Sequence, residues 1–399
     1  MTLPPNEMAA MKKDQVLDRS AAQSDSRRIA GLDGLRGIAV LFVLMEHGAY
    51  SLFKLDWPVA PYIGNGALGV SIFFVLSGYL IYELSAREFD KTGAFNWKAF
   101  YLRRILRIFP CFYSYLIVVL VLTGLGLLVL TRPVLLSVAT FSLNYRHLWD
   151  HTNELHNYYV IGHYWTLALE EQFYLTWPLL MFFLSRKRLL PLMVAVILLA
   201  PFIRVFCYFA TPGSRAQIGM MFHTGFDSIA MGVCLGELLR RSNWKVRLQT
   251  LARNGWVIGS AIIFLALVSP WLSLHFKGTY SITIGKTLEL ACIAIIITAA
   301  VSSSAPRLAA ILNWRPLAYI GVLSYSLYVW NPLFLNAETH WPINAFPWNF
   351  IGIFAAGAFS YYVIERPVLR LKERLRRRPT PINSANPLPE PEARQSVTG

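Results

Sequence analysis

The sequence predicts an all-α integral membrane protein, a bundle of about ten transmembrane helices with both termini in the cytoplasm. Three observations carry that prediction. Of the 399 residues 55% are hydrophobic and only 15% charged, apolar windows long enough to cross a bilayer recur along the chain, and basic residues crowd every second connection between them. A soluble domain carries about 25% charged residues, and a mean hydropathy of +0.44 strengthens the exclusion of that class.

A hydrocarbon core about 30 Å thick needs about 20 predominantly apolar residues of helix. Such windows lie near 34–53, 66–84, 112–131, 168–184, 189–209, 218–238, 254–273, 280–302, 318–336 and 347–365. The fourth is the weakest, since Glu170 and Glu171 fall in its first turn. One set of connections holds Arg103, Arg104 and Arg107, then Arg186 to Arg188, Arg240, Arg241 and Lys245, Arg307 and Arg315, and a tail with Arg366, Arg370 and Arg376 to Arg378. The alternate loops hold only Lys54, Arg132, Arg146, Arg215 and Lys277. The positive-inside rule then puts both termini in the cytoplasm, which requires an even number of spans. The net charge of +15 follows from topology; spread over short connections, it is no nucleic-acid footprint.

Residues 1–27 read as a polar, disordered cytoplasmic tail without the apolar core and cleavage site of a signal peptide. Residues 28–370 form the membrane domain, and 371–399 a basic and then Pro-rich disordered tail. The four cysteines, Cys111, Cys207, Cys234 and Cys292, lie in or beside apolar spans without metal-ligand spacing and read as small buried hydrophobes, so no metal is expected.

The first span carries the most pointed signal. Arg36 and His47 sit in it eleven residues apart. At about 100° per residue they share one helical face, about 16 Å apart along the axis. An arginine at the centre of a spanning helix costs roughly 2.5 to 3.5 kcal/mol, so such residues persist where they pair or act. A guanidinium near one interface and an imidazole near the midplane would look into the same cavity. Glu46, about 100° round the helix from its neighbour, is a poor candidate for orienting the imidazole.

Other segments admit a bland reading beside a functional one. Gly64-Asn65-Gly66-Ala67-Leu68-Gly69 matches the dinucleotide-binding pattern, but no strand precedes it and a span follows, so close helix packing is its role. In the loop Phe100 to Pro110, Arg104 and Arg107 stand at i and i+3 on one face. That pair is either an interfacial basic cluster or a phosphate clamp, since guanidiniums bind phosphate bidentately. Glu170 is either a charge at a solvated helix start or a working carboxylate. Asp227, alone in the sixth span, suggests a cavity role or a bond to a facing arginine. Lys286 and Glu289, at i and i+3, read as a structural pair.

Taken in order, these segments resemble acyltransferase family 3, the polytopic membrane acyltransferases, over about residues 28–370. The similarity rests on Leu32-Asp33-Gly34-Leu35-Arg36-Gly37 with His47, on Gly69 to Ile81 including Ser77-Gly78, and on Arg104-Ile105-Leu106-Arg107 with Pro110. It continues through Trp165 to Tyr174, Ser324-Tyr325-Ser326-Leu327-Tyr328 and Glu365-Arg366-Pro367. The resemblance implies transfer of an acyl group, most often acetyl, from cytoplasmic acyl-CoA (acetyl-CoA) to a hydroxyl of a cell-envelope or secreted glycan or lipid-linked sugar. It further implies residence in a bacterial cytoplasmic (inner) membrane. His47, Arg36 and Glu170 would be catalytic, Arg103, Arg104 and Arg107 would hold CoA, and Ser77, Asp227, Tyr325 and Asn331 would line the substrate cavity.

Two departures bear on the chemistry. Relatives commonly carry histidine where this chain has Asn331, which cannot titrate near neutral pH, so base work falls to His47. Relatives often place arginine two residues before the aspartate of the sixth span, where this chain has Gly225. Some members carry a fused extracytoplasmic hydrolase-like domain; with 34 of the 399 residues following Glu365, none is expected here. A transporter or flippase is the competing class, since intramembrane charges also mark substrate paths. It would show related halves with paired broken helices, and no such repeat is visible.

Overall fold

The computed structural model describes residues 31–53, 62, 64–148, 157–302, 304–336, 339 and 341–377. The expected tails 1–27 and 378–399 lie outside these residues. Every regular element among the described residues is helical, as expected. In chain order the main helices are α1 (Leu32–Phe53), α2 (Gly66–Thr92), α3 (Trp97–Gly124), α4 (Arg132–Ala139), α5 (Tyr164–Phe183), α6 (Arg186–Ala210) and α7 (Asp227–Arg240). There follow α8 (Ser242–Arg253), α9 (Gly255–Phe276), α10 (Gly278–Val301), α11 (Pro306–Leu312), α12 (Arg315–Phe334), α13 (Trp348–Phe359) and α14 (Arg366–Arg377).

Five of these, α2, α3, α6 from Lys187, α9 and α10, are long and apolar enough on their own to cross a membrane. The most apolar stretch of α2 is 67% buried, those of α6 and α9 only 28%. Thus α2 belongs to the interior, while α6 and α9 turn large apolar side chains outward. Phe202, Phe206 and Phe209 are each at least 70% exposed, a surface that fits lipid and not water. The helices bearing Arg36, His47, Glu170, Asp227 and Asn331 are not among the five.

The centre is assembled by backbone contact. A Cβ added to Gly321 of α12 would lie 1.7 Å from the Asp33 carbonyl oxygen of α1. Across the other seam, a Cβ on Gly78 of α2 would lie 2.1 Å from the Ile229 carbonyl oxygen of α7. Only glycine permits these approaches, which draw α12, α1, α2 and α7 into one row. Gly69, the last glycine of the dinucleotide-like run, does the same against the Ala39 carbonyl oxygen at 2.4 Å. Asn65 caps α2 by accepting from the Leu68 amide at 2.9 Å.

The structure corrects several expected boundaries. The third span was expected at 112–131, after a basic loop. Instead α3 begins at Trp97, capped by Asn96 accepting from the Ala99 amide at 2.9 Å, and ends at Gly124. Within the bundle Arg103 finds Glu88 of α2 and Arg104 the ring of Tyr174, partners that a hydropathy window cannot register. The fourth helix begins at Tyr164, so Glu170 lies well inside α5 and not at a solvated start. The expected sixth span 218–238 is broken: Gly219 has φ +90°, a short turn covers Phe222–Gly225, and α7 has only 14 residues. At 1.5 Å per residue that is about 21 Å, short of a full crossing. Residues 371–377, expected in the disordered tail, continue α14 to Arg377.

Candidate functional site

A cavity of about 370 Å³ opens between α1, α2, α3, α5 and α12. Arg36 and Asp33 enter it from α1, joined by an ion pair of 2.9 Å. From α3 come Arg104 and Arg107, one turn apart. The Arg104 guanidinium lies over the rings of Tyr174 and Phe100, 5.1 and 5.6 Å from their centroids, so cation–π contact fixes its plane. From α5, Glu170 accepts the Ser77 hydroxyl of α2 at 2.7 Å. Tyr325 of α12 points its hydroxyl at the Ile108 carbonyl, 2.8 Å away. Apolar walls come from Val70, Phe73, Phe74, Leu76 and Leu80.

Three guanidiniums and two carboxylates therefore line a mostly apolar chamber, leaving one positive charge in excess when all are ionised. Such a chamber favours an anion with a long apolar arm. The guanidiniums supply bidentate donors at fixed positions, and exclusion of water strengthens their field.

His47 was expected to look into the same cavity, but it does not line it. The chamber's far end is formed by Val70, Phe73, Thr166 and Tyr328, the rings of Phe73 and Tyr328 meeting edge-on at 6.3 Å. His47 lies past that end, with Nδ1 2.5 Å from Asn331 Oδ1 and its ring 5.3 Å from that of Tyr159. The Asn331 amide nitrogen donates to the Tyr328 carbonyl at 2.6 Å, so its oxygen is the atom that faces the imidazole. An acceptor oxygen there requires the proton on Nδ1, which makes Nε2 the basic nitrogen. Asn331 thus sets the tautomer of His47. The Glu46 carboxylate accepts from the Gly66 amide at the start of α2.

Two further predicted site residues lie elsewhere. Arg103 was grouped with Arg104 and Arg107, but it pairs with Glu88 of α2 at 2.7 Å and does not line the cavity. Asp227 is also absent from the cavity wall. It is fully buried against Arg204 of α6, at 2.7 Å. Arg204 also donates to the carbonyls of Thr224 and Ile282, at 3.1 and 3.0 Å. The facing arginine is therefore real but belongs to α6. Gly225 could not have supplied it, because its Cβ would lie 2.3 Å from the Gly219 carbonyl oxygen. Arg204 lies inside an apolar window, so the argument that singles out Arg36 would have found it. Lys286 and Glu289, read as a structural pair, also bond to Ser71 and Ser269 on neighbouring helices. Asp33, Thr166, Tyr174, Ser324 and Tyr328 also line the cavity.

Removing one partner of a buried ion pair strands the other charge and costs about 3–5 kcal/mol. Asp227→Ala and Arg204→Ala are therefore each expected to lower the melting temperature and yield, whereas Arg204→Met with Asp227→Leu should recover most of both. Thermal melts in detergent check this. Single variants as stable as wild type would show that the pair is not sealed from water.

Among the described residues, no cluster of three or more His, Cys, Asp or Glu could hold a metal ion, and the four cysteines are unpaired.

Residues 29–365 match the family model of the acyltransferase domain. The peptidoglycan O-acetyltransferase OatA of Listeria monocytogenes is 28% identical over 331 residues, covering 76% of this chain and 49% of the relative. A Bacillus subtilis protein provisionally assigned as a peptidoglycan O-acetyltransferase, YrhL, is 26% identical over 367 residues, covering 86% of this chain and 55% of the relative. A Staphylococcus aureus protein provisionally assigned as an O-acetyltransferase is 28% identical over 321 residues, covering 76% of this chain and 50% of the relative. The chain spans about half the length of the curated relatives it matches. No solved structure matches it.

Proposed function

The chain belongs to acyltransferase family 3, whose domain covers residues 29–365, and from that premise we propose that it is a membrane O-acetyltransferase moving an acetyl group from acetyl-CoA to a hydroxyl of a cell-envelope glycan. The observation that carries the reading is the His47–Asn331 contact of 2.5 Å, which leaves a basic Nε2 beyond the end of an arginine-lined chamber. The names of the Listeria and Bacillus relatives make peptidoglycan the first acceptor to test.

In this mechanism Arg36, Arg104 and Arg107 hold the phosphates of CoA, and the pantetheine arm runs along the apolar wall toward Tyr328. Arg36 and His47 stand about 16 Å apart along α1, a separation suited to a donor bound at one end and reacting at the other. His47 Nε2 takes the proton of the acceptor hydroxyl as its oxygen attacks the thioester carbonyl carbon. The C–S bond then breaks, and the CoA thiolate recovers that proton from the imidazolium. One imidazole that takes the proton and then returns it serves both transfers, and Asn331 keeps the ring oriented between them. Glu170, bonded to Ser77, balances the guanidiniums and limits their hold on the product.

The transporter reading is less well supported, because the described helices meet in close backbone seams at Gly321 and Gly78. Loop charge supports ten crossings, cytoplasmic termini and residence in the bacterial cytoplasmic membrane, with the donor chamber at the cytoplasmic end. A phosphatase fusion at Asn153 is expected to be active and one at the C-terminal tail silent. The reverse pattern would exchange the donor and acceptor sides.

A further inference from the structure

A second built polar surface lies outside the cavity. The 3-10 segment Leu143–Leu148 meets the broken segment before α7 there. The Tyr145 hydroxyl is 3.1 Å from His223 Nδ1, and the two rings lie 5.9 Å apart at an interplanar angle of 29°. The His147 ring follows at 6.3 Å from Tyr145. Gln217 pins His147 twice, its Oε1 lying 3.2 Å from the backbone nitrogen and 2.5 Å from Nδ1. The Arg146 guanidinium covers the Tyr158 ring at 4.5 Å. Tyr158 adjoins Tyr159, the residue edge-on to His47.

Beneath these rings the support is rigid. Asn144 and Gln172 exchange amide bonds of 2.9 Å in both directions, and Asn144 and Gln217 are buried. The rings are partly open: Tyr145, Arg146 and His147 are half-buried and His223 is exposed. Burial raises the Tyr145 phenol above its ordinary value, so it stays a protonated donor. Flat rings with polar edges, held in place before any ligand arrives, suit a partner with an apolar face and a rim of hydroxyls. A sugar ring has that form.

We propose that this surface is the acceptor subsite, which seats a hexose unit of a glycan against Tyr145, His147 and His223 and presents a hydroxyl to His47. The inference rests on the acyl-transfer reading and adds to it a location for the acceptor.

The test uses full-length protein in nanodiscs, radiolabelled acetyl-CoA, and glycan strands isolated from cells lacking the protein and freed of esters with mild base. Tyr145→Ala and His223→Ala are expected to raise the acceptor KM by roughly tenfold or more with a much smaller change in kcat. CoA should still raise the melting temperature of both variants as it does in wild type. Tyr145→Phe keeps the ring but loses the contact with His223, and should fall between. An unchanged acceptor KM in both alanine variants overturns the subsite. So does a lowered melting temperature with loss of the CoA-induced shift, because the cluster would then be a structural prop. If wild-type protein acylates no glycan, the acyl-transfer reading fails first, and the subsite with it.

Discussion

Replacing His47 by alanine is expected to abolish transfer from acetyl-CoA while leaving a folded protein. Positioned acid–base catalysis is worth roughly 10²–10⁴-fold, and in the proposed mechanism one imidazole handles both proton transfers. The alanine variant leaves Asn331 Oδ1 without its imidazole partner, a penalty of about 1–3 kcal/mol that a bundle of this size can absorb. His47→Gln separates the two effects. Its amide can still donate to Asn331 and restore stability, but it cannot carry a proton, so transfer should remain absent. Labelled acetyl transfer beside a thermal melt reads both quantities. Near-normal transfer by either variant at wild-type abundance would remove His47 from the chemistry, and Asn331 offers no titrating substitute.

The second large effect is expected at Arg104 and Arg107. Charge-assisted bonds contribute about 1.5 to 3 kcal/mol each, and each 1.4 kcal/mol is about a factor of ten in affinity. Replacing both Arg104 and Arg107 by lysine keeps the charge but loses the planar fork and the stacking of Arg104 on Tyr174 and Phe100. CoA binding should weaken at least about tenfold with membrane insertion intact. Arg103→Ala is the internal control: its partner is Glu88, so CoA affinity should be preserved. Isothermal titration with CoA distinguishes the cases. Wild-type affinity in the double lysine variant would return both arginines to a purely topological role.

Where one helix carries its own information, the sequence was a good guide. The shared face of Arg36 and His47 follows from helical period alone, as does the i, i+3 pairing of Arg104 and Arg107, and both arginines reach one cavity with Arg36. Glu170, Ser77 and Tyr325 meet there too. What could not be read depends on partners brought by other helices. The basic start of α3 looks like a loop until Glu88 of α2 and Tyr174 of α5 meet its arginines. Arg103 is indistinguishable from Arg104 in the chain, and Glu88 separates them in space. Asp227 seems solitary because Arg204 lies on a different helix. Likewise, no periodicity announces that the sixth segment breaks at Gly219, where φ is +90°.

The seams at Gly321 and Gly78, where a single added carbon would collide with a facing carbonyl, also bear on energetics. Helices locked carbonyl-to-Cα have little freedom to rock, so the frame that carries Arg36 and His47 is poorly suited to opening first toward one compartment and then toward the other. An enzyme working as proposed needs no such cycle. An acetyl group would traverse the bilayer by changing its covalent owner partway through, with thioester cleavage making the passage one-way and neither ion gradient nor nucleotide hydrolysis required.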